Sequence, residues 1–540
     1  MRGHQRRVAL LVGLCFVAGV GEAREPTPGA ITAARIRGHM RFLADDLLEG
    51  REAGTRGFDV AAAYVAAQFE GMGLQPLEGG SYFQEVTLRR ATPVDSALEV
   101  RAGKSAVGLV AERDFVVLGH PTRETFEAEG EVVFVGHGVR APEFRHDDYG
   151  DAAVRGRLVA FLDGAPEALP EPVRGFFQPW SEKWRTAARL GAVGTLSLAT
   201  PAGRGLSWPD LVAEARKGGL WPHEEPDRTP PWAPVVLSES GAERLVRAIG
   251  WSWEEVLAAA REGRTPKGGA RLTASIRATT RHADVRSRNV VGILKGRGPS
   301  SDQYVVYTAH LDHVGIGKPV DGDAIYNGAV DNASGVAALL CIAEAFARLP
   351  SPPDRSVVFL ATTAEEPGLL GSDEFVRRGP IPRGQIVAAL NIDGATLMVH
   401  PLVDVSAMGA PNSTLGDAAL RAGKATGLEV RTEDLPLLGS DHFPFAEAGI
   451  PALWTIAGQK TGREDLDGAR LEREWMETRL HTPKDDMSQP LDFQAAADLA
   501  VFDFQVGSLV ANGREVPEWN EETIVGGFLA GRRREAERRR

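Results

Sequence analysis

The sequence predicts an α/β fold: a mixed, mostly parallel sheet sandwiched by helices, with a β-rich domain inserted near its start. Two observations carry this. After Ser287, apolar strand-like runs alternate with helical ones: "NVVGIL", "QYVVYTA", "GVAALLCIAEAFARL", "SVVFLATTA", "IVAALNID", "TLGDAALRAGKATG", "PALWTIA". Such alternation builds a parallel sheet covered on both faces. Between about Thr92 and Arg281 the texture differs, with β-rich runs such as "GEVVFVGHGV" and "GRLVAFLDG" separated by loops. A chain of 540 residues also has room for more than one domain.

Taken in order, residues 1–23 read as a signal peptide. Arg2, Arg6 and Arg7 precede the apolar run "VALLVGLCFVAGV", and Gly21, Glu22 and Ala23 offer a cleavage site. The run is too short to span a bilayer comfortably. The expectation is export to the periplasm or the medium, with no membrane association after cleavage. Residues 24–91 form the first segment of the main domain. "ITAARIRGHMRFLADDLLEGR" carries Ile31, Ile36, Met40, Leu43 and Leu47 at helical spacing, and "GFDVAAAYVAAQFEGMGLQP" is a second helix stopped by Gly71, Gly73 and Pro76. Residues 92–281 are the insert. There "SEKWRTAARLGAVGTLSL" reads as helix, turn and strand, while "GLSWPDLV" and "GLWPHEEPDRTPPWAP" read as ordered loops. Residues 282–540 complete the main domain and end in a basic, solvated tail, "GRRREAERRR".

Composition narrows the class. Hydrophobic residues at 43% and charged residues at 25% are ordinary for a soluble globular protein. The formal charge of −12 disfavours a nucleic-acid partner. Cleavage after Ala23 removes three Arg and one Glu and takes the charge to about −14. It also removes Cys15, leaving Cys341 without an intrachain disulfide partner.

The chemistry lies where strands end. "VVYTAHLDHVGIG" finishes in His310, Asp312 and His313, and ligands in open α/β sheets sit at the carboxyl ends of strands. "NGAVDNASG" sets Asp331 before a helix, "AEEPG" brings Glu365 and Glu366, "LNIDG" brings Asp393 and "RLHTPKDD" brings His481. Singly, each has an ordinary explanation as a cap or a solvated turn. Converging on one sheet edge, the carboxylates would repel one another without a cation among them. Imidazole plus carboxylate without thiolate suits zinc and related divalent ions.

The ordered set H-x-D, D-N-x-S-G, E-E, N-x-D-G and H-T-P-x-D resembles the M28 family of co-catalytic zinc peptidases. The likeness covers roughly residues 31–91 and 287–511. "FVGHGVRAPEFRHDDYGDAAVRGRLVAFLDG" in the insert is similar to a protease-associated domain. The resemblance implies two zinc ions bridged by Asp331, with His310 and Asp393 completing one site and Glu366 and His481 the other. It implies Glu365 as the general base acting on a shared, activated water, with a peptide as substrate. Asp312 is expected to orient the His310 imidazole and Asp485 that of His481, while His313 is expected to point elsewhere as a loop residue. Ser440, Asp441 and His442 in "GSDHFPFAEAGIP" either line the substrate pocket or form a structural loop.

An exported two-zinc aminopeptidase is the expected function. Glutaminyl cyclases and glutamate-releasing carboxypeptidases resemble the same family and remain alternatives. A non-catalytic binding protein is disfavoured because every ligand position and the base are intact, and a serine hydrolase because no G-x-S-x-G elbow occurs.

Overall fold

Strand Tyr304–His310 pairs in parallel with Ser356–Thr362 on one edge and with Ile386–Ile392 on the other. Both edges are therefore occupied, and Val305 through His310 are buried. A strand covered on every side takes apolar and small residues throughout, which accounts for its composition. The computed structural model describes residues 29–200, 207–223, 229–266, 269–394 and 399–538. The expected signal peptide lies outside the described residues.

From one edge the sheet runs Glu429–Glu433, Asp404–Met408, Ala452–Ala457, Ile386–Ile392, Tyr304–His310, Ser356–Thr362 and Leu272–Leu294. Ala452–Ala457 through Ser356–Thr362 are mutually parallel. Asp404–Met408 and Leu272–Leu294 flank them antiparallel. The sheet is thus mixed and mostly parallel, as the alternation predicts.

Its two faces follow the period of two along each strand. Val305, Tyr307 and Ala309 enter a core with Ile36, Phe58, Ile342 and Phe502, supplied by helices Ala33–Leu43, Arg56–Gly71, Gly335–Ala347 and Phe493–Ala511. Val306 faces the other way, toward Phe375, Phe445 and Phe528 on helices Leu370–Arg378, His442–Glu447 and Ile524–Arg538. Each such side chain contributes roughly 1.5–3 kcal/mol by leaving water.

A two-stranded ribbon carries the chain out of this sheet and back. Phe83–Ala102 pairs antiparallel with Leu272–Leu294 along nearly its whole length, with Thr92 opposite Arg281 and a register shift between Pro93 and Asp95. The near half of Leu272–Leu294 joins Ser356–Thr362, and the far half joins Thr125–Phe134. Beyond the ribbon, Phe115, Phe161, Trp184, Trp232 and Leu245 pack in a second core. Phe176 and Phe177 reach back instead, packing with Leu435, Leu437 and Phe528 beneath the main sheet.

Three local expectations are corrected. The first helix stops at Leu43, because the Asp45 carboxylate accepts the Leu47 N–H at 3.0 Å and starts a separate 3-10 turn, Asp46–Arg51. Leu47 is consequently 86% exposed. "SWPDLV" is the start of helix Trp208–Lys217, capped by Ser207, rather than a loop. Leu272–Leu294 begins well before Ser287, so "NVVGIL" is only the end of a 23-residue strand.

One buried acid makes stability depend on pH. Asp503, on helix Phe493–Ala511, accepts the Thr455 hydroxyl at 2.6 Å, and its second oxygen has no hydrogen-bond partner among the described residues. Burial raises its carboxyl from 3.8 to about 7. In the unfolded chain the group ionises near 3.8, whereas the folded chain holds the proton to about 7. Folding is therefore progressively disfavoured as pH rises through that window, and the penalty is constant above it. Asp503→Asn should be more stable than the parent at pH 8 by on the order of 2–4 kcal/mol, with the difference shrinking toward pH 4. Urea melts of both proteins across this range test it. A difference independent of pH would show that Asp503 is already charged in the fold.

Candidate metal centre

The turn after each parallel strand brings one part of the site. His310 is the last residue of Tyr304–His310. Its Nδ1–H donates to the Asp312 backbone carbonyl at 3.1 Å, which fixes the tautomer and leaves the Nε2 lone pair free. Nε2 lies 3.1 Å from Asp331 Oδ1 and 3.1 Å from Asp393 Oδ1. Asp393 directly follows strand Ile386–Ile392 and its own carbonyl accepts the Trp454 indole N–H at 2.9 Å.

The second group mirrors the first. His481, in a left-handed turn with φ 52°, points Nε2 at Asp331 Oδ2 and Glu366 Oε2, each 3.1 Å away. Asp331 thus offers one oxygen to His310 and the other to His481. All five sequence-predicted ligands are brought together. Glu365 joins the first group, where His310, Glu365 and Asp393 have donor atoms within 4.8 Å of one another.

These residues fit divalent ions. Two donors bound tetrahedrally to one zinc at 2.0–2.1 Å are about 3.3 Å apart, close to the 3.1 Å spacings within each group. Two imidazole nitrogens and three carboxylates, buried or nearly so except at the exposed His481, form a donor set suited to zinc.

Their surroundings drive the two adjacent glutamates in opposite directions. Burial raises the Glu365 carboxyl well above the usual range, opposed by His310 and reinforced by Glu366, Asp393 and Asp441. Burial and Asp331 also push Glu366 up, but His313 and His481 outweigh them and hold it below its ordinary value. Neighbouring acids driven apart in this way are suited to separate roles as proton carrier and ligand.

Supporting residues depart from expectation. The Asp312 carboxylate does not touch His310; it accepts the backbone N–H groups of Glu365 at 3.1 Å and Glu366 at 3.3 Å. The chain bends after His310 so that the carbonyl, not the side chain, meets the imidazole. Asp485 likewise serves Asp331 rather than His481, accepting the Val330 and Asp331 N–H groups at 2.9 and 3.0 Å and the Gln489 amide at 2.5 Å. His313 does not point away: it is buried, with Nδ1 2.6 Å from Glu366 Oε1.

Ser440, Asp441 and His442 are fully buried. Ser440 accepts the Asn391 amide at 2.8 Å, Asp441 accepts the Thr362 hydroxyl, and His442 donates to the Pro436 carbonyl at 2.6 Å while stacking on Trp454. They form a structural network beneath the site. Sequence reasoning missed Arg51, buried and bonded to the carbonyls of Leu43, Leu311, Asn327 and Gly328. It ties the loop after His310 to the turn before Asp331.

A mostly parallel α/β sheet whose strand ends gather histidine and carboxylate into two adjoining donor groups has the architecture of a metallopeptidase. Residues 289–502 match the model of peptidase family M28. Aminopeptidase YwaD of Bacillus subtilis (strain 168) is 28% identical over 207 residues, 37% of this chain and 40% of that protein. The glutamate carboxypeptidase 2 homolog of Caenorhabditis elegans is 25% identical over 398 residues, 64% of this chain and 48% of that protein. The chain therefore matches less than half the length of each of these two relatives. The aminopeptidase from Aneurinibacillus sp. strain AM-1 shares the fold, with a TM-score of 0.52 at 18% identity over 91% of this chain and 96% of that one.

Proposed function

We propose that the chain is an exported aminopeptidase holding two zinc ions and removing N-terminal residues from peptides. The observation that carries this is the division of Asp331, one oxygen toward His310 and the other toward His481. His310, Asp393 and Asp331 Oδ1 would hold one ion; His481, Glu366 and Asp331 Oδ2 the other. When bound, such a pair supplies Lewis acidity and an activated water. Glu365 takes a proton from the attacking water and returns it to the leaving amine. Asp312 keeps the two glutamates in register by holding their backbone N–H groups.

The name of the Bacillus relative supports an aminopeptidase, and that of the nematode relative a carboxypeptidase. Electrostatics favours the first. A substrate carboxylate needs a free guanidinium or ammonium, and the guanidinium behind the site, Arg51, spends its donors on four backbone carbonyls. The charges acting on Glu365 are those of His310 and three further acids, surroundings that suit an α-ammonium group. The insert, read as a protease-associated domain over residues 92–281, would limit substrate length. Its Phe176 and Phe177 pack against Leu435 and Leu437, in the segment leading to Ser440. Export rests on the basic and apolar N-terminal residues alone.

A substrate panel tests this. Aminoacyl-4-nitroanilides should be hydrolysed, chelation should abolish the rate and zinc should restore it. N-acetylated dipeptides with C-terminal Glu, which lack a free α-amino group, should release no Glu, and peptides with N-terminal Gln should show no cyclisation. Turnover confined to the Glu dipeptides, or indifferent to chelator, would replace the reading.

A further inference from the structure

The five-ligand reading leaves His313 without a task, yet its side chain is fully buried in the site. Nδ1 is 2.6 Å from Glu366 Oε1 and 3.8 Å from Asp331 Oδ2. The other Glu366 oxygen, Oε2, is the one that faces His481. The two oxygens of this carboxylate therefore have different neighbours. The ring is held in place by its surroundings. The His313 N–H donates to the Arg51 carbonyl at 3.3 Å. Gly328, with φ 57°, lies so near that a Cβ there would come within 2.6 Å of the imidazole.

Among the described residues, neither ring nitrogen has another well-aligned hydrogen-bond partner. A buried imidazole left unpaired costs on the order of 1–3 kcal/mol, so a histidine kept for packing alone ordinarily bonds a carbonyl, as His442 does with Pro436. A direct role as a sixth metal ligand fits less well. Two donors on one ion are about 3.3 Å apart, and the 2.6 Å approach to Oε1 is the distance of a hydrogen bond. Hydrogen bonds at such sites are often poorly aligned in the free protein and tighten only in the working complex.

We propose that His313 is a positioning residue for Glu366: its Nδ1–H donates to Oε1 and so reserves Oε2 for the ion that His481 and Asp331 would share. This rests on the two-ion reading above. Tied in this way, Glu366 binds through one oxygen in one orientation. Released, it can rotate or chelate through both. The loss should fall on the Glu366–His481 ion and spare the one at His310 and Asp393, which lies on the other oxygen of Asp331.

The test is metal content and chelator competition on the full chain carrying His313→Ala, His313→Asn or His313→Gln, with melting temperature as a control for folding. The Asn amide nitrogen sits where His Nδ1 does; the Gln amide extends too far. The parent should hold two ions. His313→Ala should hold one as tightly as the parent and the other about 10–100-fold more weakly, the usual effect of losing a ligand's hydrogen-bond partner. His313→Asn should restore the second ion to within a few-fold, and His313→Gln should not. In cobalt-substituted protein, one of the two absorption signatures should change in His313→Ala and return in His313→Asn. If the Ala variant does not fold, the Asn and Gln pair decides. Two ions held as tightly in His313→Gln as in the parent, equal weakening of both ions, or a folded His313→Asn no better than His313→Gln would overturn the proposal. A parent that never holds two ions would sink the two-ion reading and this inference with it.

Discussion

Replacing Asp331 by Asn should strip the protein of both ions and of its activity, whereas Asp393→Asn or Glu366→Gln should each release chiefly one. The reason is geometric. Asp331 Oδ1 lies 3.1 Å from His310 and Oδ2 3.1 Å from His481, so each group of donors loses a ligand in the same change. The charge matters as much. Two divalent ions held side by side would repel strongly, and the Asp331 carboxylate would supply the anion that offsets this. An amide keeps one oxygen but no net charge, and its nitrogen repels a cation. Several kcal/mol of transition-state stabilisation should disappear with the ions, a loss of roughly 10³-fold or more in rate. The fold should survive, because Asp485 still holds the backbone of Val330 and residue 331. Elemental analysis of folded Asp331→Asn finding two ions per chain would show that the acid does not bridge.

The candidate ligands were legible in the sequence because strand ends mark several of their places and the resemblance to the M28 family assigns their roles. Apolar runs locate the strands, parallel sheets put chemistry at strand ends, and His310, Glu366 and Asp393 follow three such runs. Their residue types suit zinc and related divalent ions. The residues that hold the ligands could not be read this way. Which atom of Asp312 meets His310 depends on how the chain turns after the strand, and that turn is set by Arg51, whose partner Leu311 is 260 positions away. Asp485 reaches back 155 positions to Val330. A spacing of two between His310 and Asp312 suggests contact but does not determine which groups touch. His313 follows Asp312 in a short loop whose composition looks solvated, yet the N-terminal segment covers it. The ribbon escaped for a different reason. Phe83–Ala102 buries few of its residues, with Val86, Leu88, Ala91, Leu98 and Val100 scattered among polar ones, so its alternation is weak. Its length comes from pairing with Leu272–Leu294, which no local window contains.

Glu365→Gln should leave metal content and stability close to the parent while the rate constant falls by at least about 10²–10⁴-fold, the range for losing a general acid–base group. Substrate affinity should change much less, since the amide keeps the size of the side chain and its capacity to hydrogen-bond but cannot carry the proton. The neighbouring Glu366→Gln makes the same chemical change with a different outcome. Glu366 faces His481 through Oε2 and His313 through Oε1, so an amide there presents a poorer ligand atom to one side or a clashing donor to the other. Metal occupancy and rate should fall together, and added zinc should recover part of the rate in Glu366→Gln but none in Glu365→Gln. The opposed shifts of the pair support this division. Burial holds the Glu365 carboxyl well above its ordinary range, where a proton can be taken up and released, while His313 and His481 keep Glu366 ionised. Both groups also share a backbone anchor at Asp312, so a difference between the variants reflects the side chains and not a collapsed loop. Zinc lost from Glu365→Gln and kept by Glu366→Gln would reverse the two roles. Hydrolysis of aminoacyl-4-nitroanilides at the parental rate by both variants would mean that the proton passes through some other group.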